Sequence, residues 1–258
     1  MIASPPEIAT DILYPDSDGQ PMSDNTLQYE WIVLLKENLE VLFEADPTVF
    51  VAGDLLWYPV KGHPEIRRGP DVMVAMGRPK GYRGSYKQWE EGDIAPHVVF
   101  EVLSPGNTRS EMSRKLMFYH QYGVEEYYCY DPHSNELRAW LRHGGVLEEL
   151  DELGGWVSPR LGIRFEPGEE TLAVYGPQGD RFLSTIDREK LRQQERQQEQ
   201  QRAMAAEQRA SLAEQEATAA AQRAIAAEEQ ALAEAQRADR LAAKLRELGL
   251  DPNALENL

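Results

Sequence analysis

Asp71, in "RRGPDVMVAM" (67–76), and Glu101, in "HVVFEVLSPGN" (97–107), are carboxylates set into apolar runs. An acid in a buried strand is costly unless its charge is paired or used. If 71–76 and 97–103 are antiparallel neighbours closed by the loop 77–96, pairing Met76 with His97 sets Asp71 opposite Val102 and within one position of Glu101. A loop of that length loosens the register by one or two. Alternation puts Asp71, Met73 and Ala75 on one face, and likewise His97, Val99, Glu101 and Leu103. The two carboxylates can therefore share one face at one end of a hairpin. Opposed Cβ atoms lie about 5 Å apart, where like charges repel unless something neutralises them. A divalent cation is the natural candidate: Mg²⁺, with Mn²⁺ as an alternative, is a hard ion that takes one or two carboxylates plus waters and phosphate oxygens. Cys129 is the only cysteine and the five histidines show no ligand spacing, which steers the reading away from zinc.

Lys115 adds a cation on the helix that follows the second strand, beside the apolar positions Met112, Leu116 and Tyr119. As an edge position its removal is expected to change stability by about 0.5 kcal/mol or less, and its plainer role is an ion pair with Glu111 four residues earlier. Arg78, Lys80, Arg83 and Lys87 sit in "GRPKGYRGSYKQW" with Tyr82, Tyr86 and Trp89 between or beside them. Such a loop can track phosphates with its cations and stack bases on its rings; a solvated surface loop reads equally well.

The elements that must position these groups follow from periodicity. Residues 1–23 read as an irregular arm. "SDNTLQYEWIVLLKENLEVLF" places Leu27, Trp31, Leu34, Leu35 and Leu39 at helical spacing behind the caps Ser23, Asp24 and Asn25. "VFVAGDLLWYPV", "DVMVAM" and "HVVFEVL" read as strands, the last two apolar on both faces, which predicts helices on both sides of the sheet. "TRSEMSRKLMFYHQYGV" is a helix with a capping box from Thr108 to Glu111 and a stop at Gly123. "EEYYCYDP" is a strand, and antiparallel strands follow to residue 185. The order favours a mixed-sheet α/β domain over 24–186. From 187 to 258 the composition turns to Ala, Gln, Glu and Arg, with Ala210, Ala217, Ala224, Ala231 and Ala238 in a seven-residue register. A solvated single helix and a weak coiled coil, pairing the chain into a dimer, fit this tail equally.

The formal net charge is -17, which opposes casual binding to nucleic acid or anionic lipid. The carboxylates nevertheless lie in the one cationic stretch, 61–115, with 10 basic and 7 acidic residues. The acidic, Pro- and Gly-broken beginning and the lack of any long apolar run point to a cytoplasmic protein that does not span a membrane.

"GPD", "VVFEVLSPGNTRSEMSRKLMFYHQYGVEEYYCYDP" and the tail motif "LAAKLRELGLDP" together resemble the Uma-type restriction endonuclease family of the PD-(D/E)XK nuclease superfamily, over about residues 20–185. The resemblance implies an αβββαβ restriction-endonuclease-like core, a β-rich extension, and Mg²⁺-dependent phosphodiester cleavage of nucleic acid, with DNA the expected substrate. Asp71 and Glu101, with the Val102 carbonyl, would hold the metal, and Lys115 would complete the catalytic set. The superfamily pattern places its lysine two residues after the glutamate, where this chain has Leu103, so Lys115 serves only if its helix folds back over the strand end. Two other readings stand beside this one. A nuclease-like interaction module oligomerised by the tail keeps the fold without the activity. A paired-carboxylate glycosidase has no use for the basic aromatic loop.

Overall fold

The computed structural model describes residues 12–248; the arm's first eleven residues and the end of the tail motif, 249–252, lie outside the described residues. Helix α1 (Thr26–Leu42) begins at Asn25, whose side chain accepts the Gln28 N–H at 2.9 Å, one of the three caps the sequence offers. It buries Ile32, Leu35 and Leu39 on the face that meets the sheet.

Strands β1 (Val49–Gly53), β3 (Val72–Met76) and β5 (Val98–Val102) form an antiparallel meander, with the short β2 (Trp57–Tyr58) and β4 (Tyr86–Lys87) pairing in parallel beside it. Helix α2 (Arg109–Gln121) is the crossover that returns the chain as β6 (Glu126–Asp131), parallel to β5. Antiparallel β7 (Glu136–His143) and β8 (Val146–Glu149) complete a six-stranded mixed sheet in the order β1-β3-β5-β6-β7-β8. The αβββαβ core expected from the sequence is present. A second sheet of β9 (Trp156–Val157), β10 (Arg164–Pro167) and β11 (Leu172–Tyr175) forms the β-rich extension.

β3 and β5 are covered on both faces, though not by helices alone. Val72, Val74, Val98 and Phe100 pack with α1, with Ile163 just before β10, and with Phe165 and Val174 of the second sheet. Met73, Ala75 and Val99 pack with Tyr119 and Leu116 of α2 and with Trp57 and Tyr86 of the small β2–β4 pair.

The register lies one residue from the simplest pairing of Met76 with His97, within the slack that the loop allows. Val72 pairs with Phe100, Met73 with Val99 and Val74 with Val98, because the Met76 N–H is taken by the His97 ring Nδ1 at 3.1 Å while the His97 N–H bonds the Val74 carbonyl. A shift of one exchanges faces. The expected pairing would have set Asp71 against Val102, on the wrong side; the observed ladder, continued by one step, sets Asp71 opposite Glu101.

The α2 start is half of the expected capping box. Thr108 Oγ1 accepts the Glu111 N–H at 3.2 Å, while the Glu111 carboxylate accepts from Asn107 Nδ2. Gly123, at φ +95°, stops the helix in a conformation that favours glycine.

Helix α3 (Thr185–Glu247) starts two residues before the composition change at 187. The chain divides into two units between Arg188 and Glu189. The second is a helix that buries no side chain among the described residues. No described helix is long and apolar enough to cross a membrane.

Candidate active site

Three elements deliver the site. Asp71 sits immediately before β3, Glu101 lies within β5, and α2 returns across the end of β5 after the turn at Ser104–Asn107. That turn is held by the Ser104 N–H to Asn107 Oδ1 at 2.8 Å and the Asn107 N–H to the Ser104 carbonyl at 3.0 Å. The fold-back that Lys115 needs is therefore made. Its ammonium donates to Glu101 Oε2 at 2.8 Å. One helical turn on, the Tyr119 hydroxyl donates to Glu101 Oε1. Asp71 Oδ2 accepts the Val102 N–H at 2.6 Å, and the Val102 carbonyl accepts from Gln28 Nε2 of α1 at 2.8 Å. Both backbone groups of Val102, the residue after Glu101, are thus held by side chains.

Both carboxylates are out of solvent: Asp71 is 9% exposed and Glu101 1%. Burial, and then the charge of Glu101, push the Asp71 carboxyl well above its ordinary range, while Lys115 and the Val102 N–H pull it down. Burial acts to lower the Lys115 ammonium, but the charges of Glu101 and Asp71 override it and raise the pKa, so this lysine stays protonated at neutral pH. Asp54, held at φ +48° where its N–H bonds the Asp71 carbonyl at 3.2 Å, is raised by burial and by its neighbours Asp18 and Glu101.

Asp71 and Lys115 line a cleft of about 820 Å³, with Gln28, Asp54, Arg67 and Arg68 also in its wall. The donors present are hard oxygens, two carboxylates and a backbone carbonyl, and no group of three or more His, Cys, Asp or Glu that could hold a metal occurs among the described residues. That sparse set fits Mg²⁺, which keeps several waters, and does not fit zinc.

The basic aromatic loop is not brought to these carboxylates as a free cationic surface. It leaves β3 at the end opposite Asp71, about 20 Å away at strand rise, and its cations have protein partners. Lys80 caps α1 through the Phe43 and Glu44 carbonyls. Arg83 pairs with Glu91 at 2.5 Å and lies over the Phe50 ring at 3.9 Å. Arg78 bonds the Gly77 carbonyl and approaches Glu91 to 4.0 Å. Lys87 is 3.8 Å from Glu90. Tyr86 is buried, its hydroxyl on the Ile94 carbonyl, whereas Tyr82 is 94% exposed. The cations that line the cleft beside Lys115 are Arg67 and Arg68, directly ahead of "GPD". Sequence reasoning also missed Gln28, Asp54 and Tyr119. Of these only Tyr119 left a usable signal, standing one turn from Lys115 on the same helix.

No curated protein matches the chain. Among solved structures it is similar to a putative nuclease belonging to DUF820 from Anabaena variabilis, at 13% identity and a TM-score of 0.39, over 52% of this chain and 72% of that one. The model of the Uma2 family, described as putative restriction endonuclease, matches residues 20–205. That match takes in α1, the whole αβββαβ core with Asp71, Glu101 and Lys115, and the start of α3, and the chain belongs to the Uma2 family.

Proposed function

We propose that the chain is a Mg²⁺-dependent endonuclease that hydrolyses phosphodiester bonds, with DNA as its substrate. The observation that carries this reading is the convergence of Asp71, Glu101 and Lys115, from three elements, on one end of the sheet, with Lys115 Nζ 2.8 Å from Glu101. Asp71 and Glu101, with the Val102 carbonyl, are the groups that would hold the metal; Mn²⁺ suits the same oxygens. A bound divalent ion supplies a water of lowered pKa and offsets charge on the scissile phosphate. Lys115, kept protonated by its two carboxylate neighbours, offsets the further negative charge that develops as the phosphate is attacked. Arg67 and Arg68 hold neighbouring phosphates against the cleft wall. Tyr82, the exposed ring of the 77–96 loop, is available for base contact, while Arg78, Lys80, Arg83, Lys87 and Tyr86 support that loop.

One observation favours a second reading, a nuclease-like interaction module of low activity: both Glu101 oxygens already have protein donors. In either reading the α3 tail pairs two copies through its alanine register, and the protein works in the cytoplasm. The deciding experiment is incubation of single- and double-stranded DNA and RNA with the full chain, with and without Mg²⁺, beside Asp71→Ala. The nuclease reading expects metal-dependent cleavage that Asp71→Ala lacks. Intact substrates throughout, or equal cleavage by both proteins, would leave the module reading.

A further inference from the structure

Tyr119 is fully buried, and its hydroxyl donates to Glu101 Oε1. A buried tyrosine hydroxyl must find an acceptor, and many do so with no bearing on function. Three features set this one apart. Its ring is locked on several sides: parallel to Trp57 at 6.4 Å and 3°, against Tyr127 at 5.1 Å, and edge-on to Phe118 at 5.8 Å. Its acceptor is a carboxylate of the candidate site. The other oxygen of that carboxylate is held by Lys115, four residues earlier on the same helix. A lysine is a flexible stem with a mobile point charge and by itself sets no carboxylate plane. A rigid hydroxyl on the second oxygen does.

We infer that Tyr119 is a positioning residue for this site. From α2 it fixes the orientation of the Glu101 carboxylate, so that the acceptor capacity left over from Lys115 and Tyr119 stays available to a divalent cation shared with Asp71. An ionised carboxylate has about four acceptor sites, so two protein donors do not exhaust it. The inference rests on the metal-site reading above and adds a specific role to a residue outside the metal ligands. It also accounts for the pairing of lysine and tyrosine one turn apart: with Leu103 in place of a strand-borne lysine, α2 must supply both the charge and the orientation.

Tyr128 provides a control, although its hydroxyl also accepts from Trp156 Nε1 at 3.2 Å. It too is buried and donates its hydroxyl to a buried glutamate, Glu126, at 2.9 Å, but Glu126 is tied to Ser158 and Arg160 and takes no part in the site. Tyr119→Phe and Tyr128→Phe in the full chain each keep the ring and delete one buried hydroxyl. Mn²⁺ binding without substrate is measured by calorimetry, and the Mg²⁺ concentration giving half-maximal cleavage is measured beside the substrate KM. Tyr119→Phe should weaken Mn²⁺ binding by about 10- to 100-fold, the usual effect of losing a partner that orients a metal ligand. It should raise the Mg²⁺ requirement in parallel and leave KM close to wild type. Tyr128→Phe should bind Mn²⁺ as wild type does. Equal Mn²⁺ affinity in Tyr119→Phe and wild type overturns the inference, as does equal weakening in both variants. If wild type itself binds no Mn²⁺, the metal-site reading fails and takes the inference with it. Should Tyr119→Phe not fold, the near-ultraviolet difference spectrum of wild type on adding Mg²⁺ decides: a tyrosine perturbation absent from Asp71→Ala supports the role, and a flat spectrum overturns it.

Discussion

At the residue scale, Asp71 is held in a state that costs stability. Its carboxyl is raised above the unfolded value by burial and by Glu101, so the folded state keeps the proton to higher pH than the unfolded chain does. The stabilisation is present below the unfolded pKa and is lost as pH rises through the folded one. Asp71→Asn removes the buried charge and retains an oxygen for the Val102 N–H. It should stabilise the metal-free protein at neutral pH by about 1 kcal/mol, flatten stability against pH across that window, and abolish divalent-ion binding. A lower denaturation midpoint at pH 7 would contradict this. Lys115 reverses its sequence-level expectation. It is only 18% exposed and neutralises a Glu101 that is 1% exposed. Lys115→Ala leaves that carboxylate without its cation and should cost about 3 kcal/mol by denaturant titration, where an exposed lysine would cost almost nothing. Asp71 and Glu101 were legible because acids stand out in apolar strands. Gln28 was not: an amide on a helix looks like an ordinary amphipathic position until the fold sets it 2.8 Å from the Val102 carbonyl, and Tyr119 was marked only by standing one turn from Lys115 before the fold set it against Glu101.

At the element scale, strand and helix types followed the sequence pattern, but pairing depended on contacts the pattern does not contain. The His97 ring, not its backbone, serves Met76, a bond that goes with the observed register and that the pattern does not contain. The arm shows the same limit. Read as irregular, it is anchored by Tyr14, whose ring meets Tyr58 at 5.3 Å and Trp89 at 4.9 Å, and by the Tyr58 hydroxyl on the Pro15 carbonyl at 2.6 Å. It also passes Gly84, where a Cβ would collide with the Asp16 carboxylate. The arm thereby brings Asp18 into a cleft wall that also contains Asp24, Asp54, Glu65, Asp71 and Glu111, against three cations. The carboxylates of that wall oppose the phosphates that Arg67 and Arg68 attract. Asp18→Asn should tighten nucleic-acid binding by about twofold to fivefold at low ionic strength, with the difference fading as salt shortens the screening length. Filter binding or anisotropy across a salt series tests this, and unchanged or weaker binding at low salt would remove the arm from the electrostatics of the cleft.

At the scale of the whole molecule, composition put the start of the tail at 187, between the start of α3 at Thr185 and the unit boundary after Arg188; the contacts that carry the first unit past the composition change are polar. Asn38 of α1 donates to the Leu183 carbonyl at 3.0 Å and accepts from the Arg188 guanidinium at 2.7 Å. The body therefore needs Arg188. A chain ending after Arg188 should keep the wild-type thermal midpoint within about 2 °C, while one ending at 184 should lose several degrees because Asn38 Oδ1 loses its Arg188 donor and Glu37 loses the Thr185 hydroxyl. Equal midpoints for the two truncations would show that these bonds carry no stability. The -17 net charge makes the short cationic stretch of 61–115 the more telling feature: of its cations, Arg67, Arg68 and Lys115 line the cleft, whereas those of the aromatic loop bond within the loop and to the end of α1 and β1.

The account turns on Lys115 supplying, from α2, the positive charge that Leu103 cannot supply from β5. The most direct measurement is the Mg²⁺-dependent cleavage rate of Lys115→Ala against wild type on the same DNA, at saturating metal and well below the unfolding midpoint of the variant. Loss of an electrostatic stabiliser of this kind lowers turnover by about 100-fold or more, and the account predicts a loss of that size with divalent-ion binding retained. A folded Lys115→Ala protein cleaving within about threefold of wild type would contradict it.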